Sequence, residues 1–214
     1  MRVIPKKTSK VTEVIKSHVT ENLKAYIIVS IILLIGITLG VMFVNNMSEA
    51  QAQDIQTYLQ SFTGSLKEGK AVNTGELLRK SLGNNLLLVF LMWFVGSTVI
   101  GIPIVLGIVA FRGFCLGYTI STAIKIWGTG KGMLFFATTM LLQNLIAIPC
   151  IIALAVSGIK LYKSIIKDKR RENIKIEIIR HTIFSLVMLA ILAISSIIET
   201  YLSTNLLVLC KSYF

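Results

Sequence analysis

The stretch AYIIVSIILLIGITLGVMFV, residues 25–44, contains no charged residue and decides the class of the protein. At a rise of about 1.5 Å per residue, its length as a helix matches the roughly 30 Å hydrocarbon core of a bilayer, which predicts a first transmembrane helix. A cleaved signal peptide is the competing interpretation, but the apolar segment is longer than a signal sequence needs. Composition also indicates a polytopic membrane protein, because 54% of the residues are hydrophobic and only 15% are charged.

The residues after this stretch predict four more spans and an all-α membrane helix bundle. Between Asn85 and Trp127 only Arg112 and Lys125 are charged, and this segment is about twice as long as one crossing requires. We therefore expect two passes, which turn near GIPIVLG (101–107), where glycines and a proline interrupt the helix. The five predicted spans are 25–44, 85–102, 107–127, 133–157 and 182–204.

Basic residues indicate the orientation of the chain in the membrane. The chain has a net charge of +12, and its lysines and arginines are concentrated in residues 1–24 and 160–180, beside apolar segments. Such a distribution is typical of cytoplasmic loops. Loop 45–84 shows no such excess of basic residues, so we expect it to be exported. The prediction is a basic cytoplasmic segment, 1–24, followed by one membrane domain, 25–214, with its C-terminus outside. This charge pattern does not indicate a nucleic-acid-binding surface.

The exported loop has the pattern of an amphipathic helix. Ser48 and Gln51 have the spacing of a capping box at its start. Apolar residues then recur at helical spacing, namely Ile55, Tyr58, Leu59, Phe62 and Leu66. Such a helix lies on the lipid interface, packs on its own bundle or docks an extracytoplasmic partner, and the same residues serve each alternative.

Arg112 lies in the segment FRGFCLGYT, residues 111–119, within an otherwise apolar region. With a turn at 101–107, we expect its side chain to reach back to the headgroups, and the functional alternative is a polar cleft lined by Arg112. Gly113 and Gly117 form a G-x-x-x-G motif, which permits close approach of a second helix. The first span repeats this spacing at Gly36 and Gly40, so the two motifs are candidates to face each other.

Three further polar residues fall within the spans. Gln143 and Asn144 lie near the middle of the fourth span, where an unpaired amide is costly, so we expect them to bond to another helix or to water. Glu199 is expected near the outer interface, at the depth of Lys125. We therefore predict an ion pair between Glu199 and Lys125 rather than between Glu199 and Arg112.

No motif of an enzyme is present in the sequence. The chain has no H-E-x-x-H, G-x-S-x-G or phosphate-loop pattern, and its three cysteines show no metal-ligand spacing. We expect no catalytic residue, no cofactor and no metal. The resemblance of VIGIPIVL (99–106) to LIAIPCII (145–152) supports a small permease or channel as the alternative function, with a polar site near Arg112, Gln143 and Asn144.

Three segments in the same order resemble the stage II sporulation protein M family: LGVMFVNNM (39–47), FRGFCLGYT (111–119) and LLQNLIAIP (141–149). The resemblance implies a non-catalytic scaffold in the mother-cell membrane during forespore engulfment. It implies recruitment of two membrane-anchored peptidoglycan hydrolases, stage II sporulation proteins D and P, to the septum.

The segments that resemble the family contain our candidates for packing or partner contact. These candidates are Asn45, Arg112, Gly113, Gly117, Gln143, Asn144 and Pro149. A homo-oligomer is plausible, because two G-x-x-x-G motifs offer surfaces for helix association.

Overall fold

A computed structural model of the chain describes residues 19–67, 74–98, 100–167, 171–203 and 205–206. Within these ranges it has helices and no strand, which confirms the predicted all-α fold class for this part of the chain. The α-helices are α1 (Leu23–Asn45), α2 (Glu49–Lys67), α3 (Thr74–Gly96), α4 (Gly101–Phe136), α5 (Leu142–Lys167) and α6 (Arg171–Ile198). Two π-helical segments follow α4 and α6, namely π1 (Ala137–Leu141) and π2 (Glu199–Ser203).

Among the described residues, four helical stretches are long and apolar enough to cross a membrane. They are Leu23–Asn45, Gly101–Leu141, Gln143–Ile166 and Ile174–Ser203. Many of their large apolar side chains are exposed, including Leu34 and Phe111, as expected for surfaces in contact with lipid. The chain is therefore a helical membrane protein. The predicted count of five spans and the cytoplasmic N-terminus stay predictions.

The helix α4 contains a reversal of the chain at Gly128. Gly128 has φ 78° and ψ 167°, a conformation that glycine adopts without steric cost. A side chain at Gly132 would lie 2.6 Å from the Ala123 carbonyl carbon, whereas residues nine apart in a continuous helix are separated by roughly 13 Å. The rings of Trp127 and Phe135 also meet, with centroids 4.7 Å apart. The two sides of Gly128 thus form a helical hairpin at the segment GTGKG, residues 128–132.

The predicted turn at GIPIVLG is wrong. The break lies earlier, around Ser97 and Thr98, and α4 begins at Gly101. Pro103 falls in the first turn of α4, where backbone N–H groups have no intrahelical partner, so the proline does not interrupt the helix.

The helix α3 is not among the four candidate spans, because Glu76, Arg79 and Lys80 make its first half polar. Its second half is apolar and packs beside α4, α5 and α6. Most of the predicted basic loop 160–180 is also helical, because α5 continues to Lys167 and α6 begins at Arg171.

A glycine interface joins α1 to α4. A side chain at Gly36 would overlap with the Ala110 carbonyl, and one at Gly117 would overlap with the Ile37 carbonyl. The contacts of Gly40 and Gly113 are of the same kind, so the predicted pairing of the two G-x-x-x-G motifs is confirmed. Residue numbers rise together along both helices at these contacts, which makes α1 and the first half of α4 parallel.

The apolar core lies where five of the helices meet. Each of these helices contributes buried residues to the core. Examples, in the order α1, α3, α4, α5 and α6, are Val29, Val89, Val109, Leu154 and Leu192. The helix α2 contributes none of the buried core residues, and among the described residues it has no extensive contact with another helix.

Candidate functional site

A buried polar network connects α3, α5, α6 and π2. The Ser81 hydroxyl lies 2.7 Å from Glu199 Oε2 and 3.0 Å from the Ser196 hydroxyl. Asn85 Nδ2 donates to Ser196 Oγ at 2.7 Å, and Gln143 Nε2 donates to Ser81 Oγ at 3.3 Å. Because a hydroxyl has one proton, Ser81 donates to Glu199 and accepts from Gln143, while Ser196 accepts from Asn85 and donates to the Leu192 carbonyl at 3.1 Å. A chain of hydrogen bonds from Gln143 through Ser81 therefore ends at the Glu199 carboxylate.

Arg112 extends this network to α4. Arg112 Nη2 donates to Asn144 Oδ1 at 3.3 Å, and Asn144 Nδ2 donates to the Met140 carbonyl at 2.9 Å. The guanidinium is mostly buried, and its charge attracts that of Glu199. In the described part of the chain, Arg112 Nε is buried with no hydrogen-bond partner. The expected contacts of Gln143 and Asn144 with other helices are confirmed.

The prediction that Arg112 reaches the headgroups is wrong. Because α4 begins at Gly101 rather than after a turn at 101–107, Arg112 lies roughly 16 Å along the helix, near the middle of a bilayer-sized span. A side chain at this depth is too far from the headgroups, and Arg112 bonds to Asn144 inside the bundle instead.

The predicted ion pair between Lys125 and Glu199 is also wrong. Lys125 Nζ donates to the Val44 carbonyl at 2.9 Å, whereas Glu199 accepts from Ser81. Carbonyls in the last turn of a helix lack intrahelical donors and carry partial negative charge, so the end of α1 attracts the ammonium. Glu199 faces α3 and Arg112, on a different side of the bundle.

Both π-helical segments adjoin the polar network. Ser203 Oγ of π2 donates to the Thr139 carbonyl of π1 at 3.4 Å, and Ser195 Oγ donates to the Gln143 carbonyl at 3.4 Å. A π-helical segment shifts the side chains that follow it around the helix axis. In this bundle, π1 precedes Gln143 and Asn144, and π2 contains Glu199.

A second polar cluster lies toward the other end of α3. Ser157 Oγ and His181 Nδ1 are 2.8 Å apart, and Trp93 Nε1 donates to Thr182 Oγ1 at 3.0 Å. His181 is buried against Gly96, and a Cβ at that glycine would lie 3.4 Å from His181 Nε2. This cluster links α3, α5 and α6.

Sequence reasoning missed several members of both polar clusters. Ser81 and Asn85 are four residues apart, and Ser196 and Glu199 are three apart, which places each pair on one helix face. Polar residues at this spacing in an apolar helix are a signal that was available. The partner of each pair depends on how the helices are rotated, which the spacing does not give.

The predicted capping box of α2 is confirmed. Ser48 N donates to Gln51 Oε1 at 3.2 Å, and Gln51 N donates to Ser48 Oγ at 3.4 Å. The side chain of Tyr58 is 72% exposed, and Ile55 and Leu59 are partly exposed. The side chains of Phe62 and Leu66 lie outside the described part of the structure. The role of this helix face in docking stays a prediction.

Two other candidates lie at the protein surface. Asn45 is exposed at the end of α1 and Pro149 is exposed within α5, and for both a partner role stays a prediction.

Two grooves run along α3 and are lined mainly by apolar side chains. One, of about 320 Å³, lies between α3 and α6, and the other, of about 450 Å³, lies between α3 and α4. Neither is lined by Arg112, Gln143 or Asn144, which bond to protein groups in the network. The described residues contain no group of three potential metal ligands.

The fold and the polar network define a multi-pass helical membrane protein whose buried polar groups largely serve one another. A family model described as SpoIIM: Stage II sporulation protein M matches residues 29–204. The chain belongs to this family and is a sporulation-related membrane protein. Comparisons with curated proteins and with solved structures found no match.

Proposed function

We propose that this chain is a non-catalytic membrane scaffold that gathers peptidoglycan hydrolases, the stage II sporulation proteins D and P, at the septum during forespore engulfment. Membership of the SpoIIM family supports a role in sporulation. The structure supports a scaffold through one main observation: among the described residues, α2 has no extensive contact with another helix. Tyr58 on the apolar face of α2 is largely exposed, and an amphipathic helix gains stability when such a face is buried.

The polar network supports a structural rather than a chemical role for the spans. Glu199, Ser81, Gln143 and Asn144 bond to protein groups on neighbouring helices or within their own helix, so they hold the bundle in one arrangement. In the proposed topology α3 is the second of five passes, the N-terminus is cytoplasmic, and α2 lies on the outer face. The helix α2 would then face the cell wall, where the hydrolases act.

Affinity purification from sporulating cells tests this proposal. The tagged wild type should co-purify the two hydrolases in mild detergent. The variant Ile55→Glu with Leu59→Glu should lose them, because two charges would be buried at the docking face. A matched control, Gln53→Glu with Gln60→Glu, adds the same charge to the opposite face of α2 and should retain both hydrolases.

The wild type and the two variants must be equally abundant and equally localised for the comparison to hold. Absence of hydrolases from the wild-type sample would contradict the scaffold function. Equal loss in both variants would leave the scaffold standing and reject the apolar face of α2 as the docking surface.

A further inference from the structure

The helix α3 has two stripes of side chains at the spacing of a helix–helix seam. The inner stripe, Asn85, Val89, Met92 and Gly96, is buried in the bundle. The outer stripe, Asn84, Leu87, Leu91 and Phe94, repeats every three or four residues and is exposed, with Leu87 58% and Phe94 57% exposed. A helix that packs only against helices of its own chain needs only the inner stripe.

Asn84 is the unusual member of the outer stripe. Its side chain is exposed, and it has no hydrogen bond among the described residues, whereas the neighbouring Asn85 donates to Ser196 at 2.7 Å. Asn84 lines the same groove as Phe111, which lies next to Arg112 near the middle of a bilayer-sized span. An amide at this depth without a partner is costly in lipid. The position therefore indicates a partner from outside the chain.

A second copy of this chain provides such a partner. An asparagine amide contains both a donor and an acceptor, so two identical amides can satisfy each other. Copies inserted in the same direction are related by a two-fold axis along the membrane normal, which brings each residue near this axis close to its own counterpart. One asparagine in an apolar seam also sets the register of two parallel helices.

The groove between α3 and α4 is suited to the same contact. It runs beside the outer stripe with a volume of about 450 Å³, and Leu87, Leu91 and Gly107 are among its lining residues. A side chain at Gly107 would meet no atom of the described residues within 4 Å, so the surface there is open to a neighbouring helix. We propose that two copies of this chain associate through the outer stripe of α3, with the two Asn84 amides hydrogen-bonded to each other. This inference is independent of the hydrolase scaffold.

Disulfide cross-linking in membranes tests the contact. In a background where Cys115, Cys150 and Cys210 are replaced by alanine, single cysteines are introduced by Asn84→Cys, Leu87→Cys and Leu91→Cys. These three should form dimers on oxidation. The controls Leu86→Cys and Phe90→Cys lie on the adjacent face of α3, which borders the groove with α6, and should cross-link little. The proposal would be overturned if all five cysteines cross-linked equally, if none of them cross-linked, or if the two control cysteines cross-linked more than the other three.

The contribution of the amide is measured with the native cysteines in place. Förster transfer between labelled copies in vesicles should show association about three- to tenfold weaker for Asn84→Leu, as expected for an interhelical hydrogen bond in lipid. Asn84→Gln should retain most of the association. If the leucine variant associates as well as the wild type, the Asn84 pair does not exist. Because these experiments contain only this chain, their failure does not bear on the hydrolases.

Discussion

Two regions of the bundle are held together by different kinds of contact. Between α1 and α4, glycines bring the two backbones together without a side chain in between. Between α3, α5 and α6, side-chain hydrogen bonds join the helices: Asn85 donates to Ser196, and Gln143 donates to Ser81, which donates to the Glu199 carboxylate. The first kind of contact depends on the small size of glycine and on the spacing of the glycines along each helix. The second depends on which polar groups lie at the same depth in the bundle. Substitutions in the two regions should therefore differ in magnitude and in how they can be rescued.

The largest effect is expected at the glycine interface. Gly117→Leu places a side chain against the Ile37 backbone, which has no flexible end that can move aside. We expect α1 to separate from α4 and the protein to lose folded material, an effect larger than the roughly 1–3 kcal/mol typical of overpacked cores. Accumulation in membranes and detergent unfolding measure this change.

The matched control for Gly117→Leu is Gly130→Leu on the same helix, where a side chain would meet no atom of the described residues within 4 Å. The control should fold like the wild type. Wild-type stability of both variants would show that the close approach of α1 to α4 is not required.

A smaller effect, which can be rescued, is expected in the polar network. Arg112→Met removes the donor to Asn144 and a positive charge that attracts Glu199, and should destabilise the protein by about 1.5–3 kcal/mol, as when a hydrogen bond to a charged group is lost. Adding Glu199→Gln should restore part of this stability, because no uncompensated charge then stays in the bundle. A double-mutant cycle in detergent unfolding measures the coupling. Additive effects of the two substitutions would mean that Arg112 and Glu199 are independent.

The same contrast explains what could be predicted from the sequence. The all-α class follows from apolar length, and the glycine pairing follows from two identical spacings, so both are local properties of the sequence. The environment of Arg112 was predicted incorrectly because the start of α4 was placed six residues too late, at 107 instead of Gly101. At 1.5 Å per residue, this error moves a side chain by roughly 9 Å in depth, which is enough to place it in the bundle interior instead of at the headgroups. The pairing of Ser81 with Glu199 also requires the relative rotation of α3 and α6, which no local pattern contains.

The smallest effect is expected at Lys125, where the two kinds of contact meet. Its ammonium donates to the Val44 carbonyl at the end of α1, and therefore adds a side-chain hydrogen bond to the α1–α4 pair. Lys125→Met should cost only about 0.5–1 kcal/mol, because the site is exposed and water can replace the lysine at the carbonyl. Glu199→Gln should not change the contribution of Lys125 to the free energy of unfolding. A double-mutant cycle of Lys125→Met and Glu199→Gln in detergent unfolding should therefore give a coupling energy near zero. A clear coupling between Lys125 and Glu199 would mean that the end of α1 and the polar network act as one unit, against the separation that the hydrogen bonds indicate.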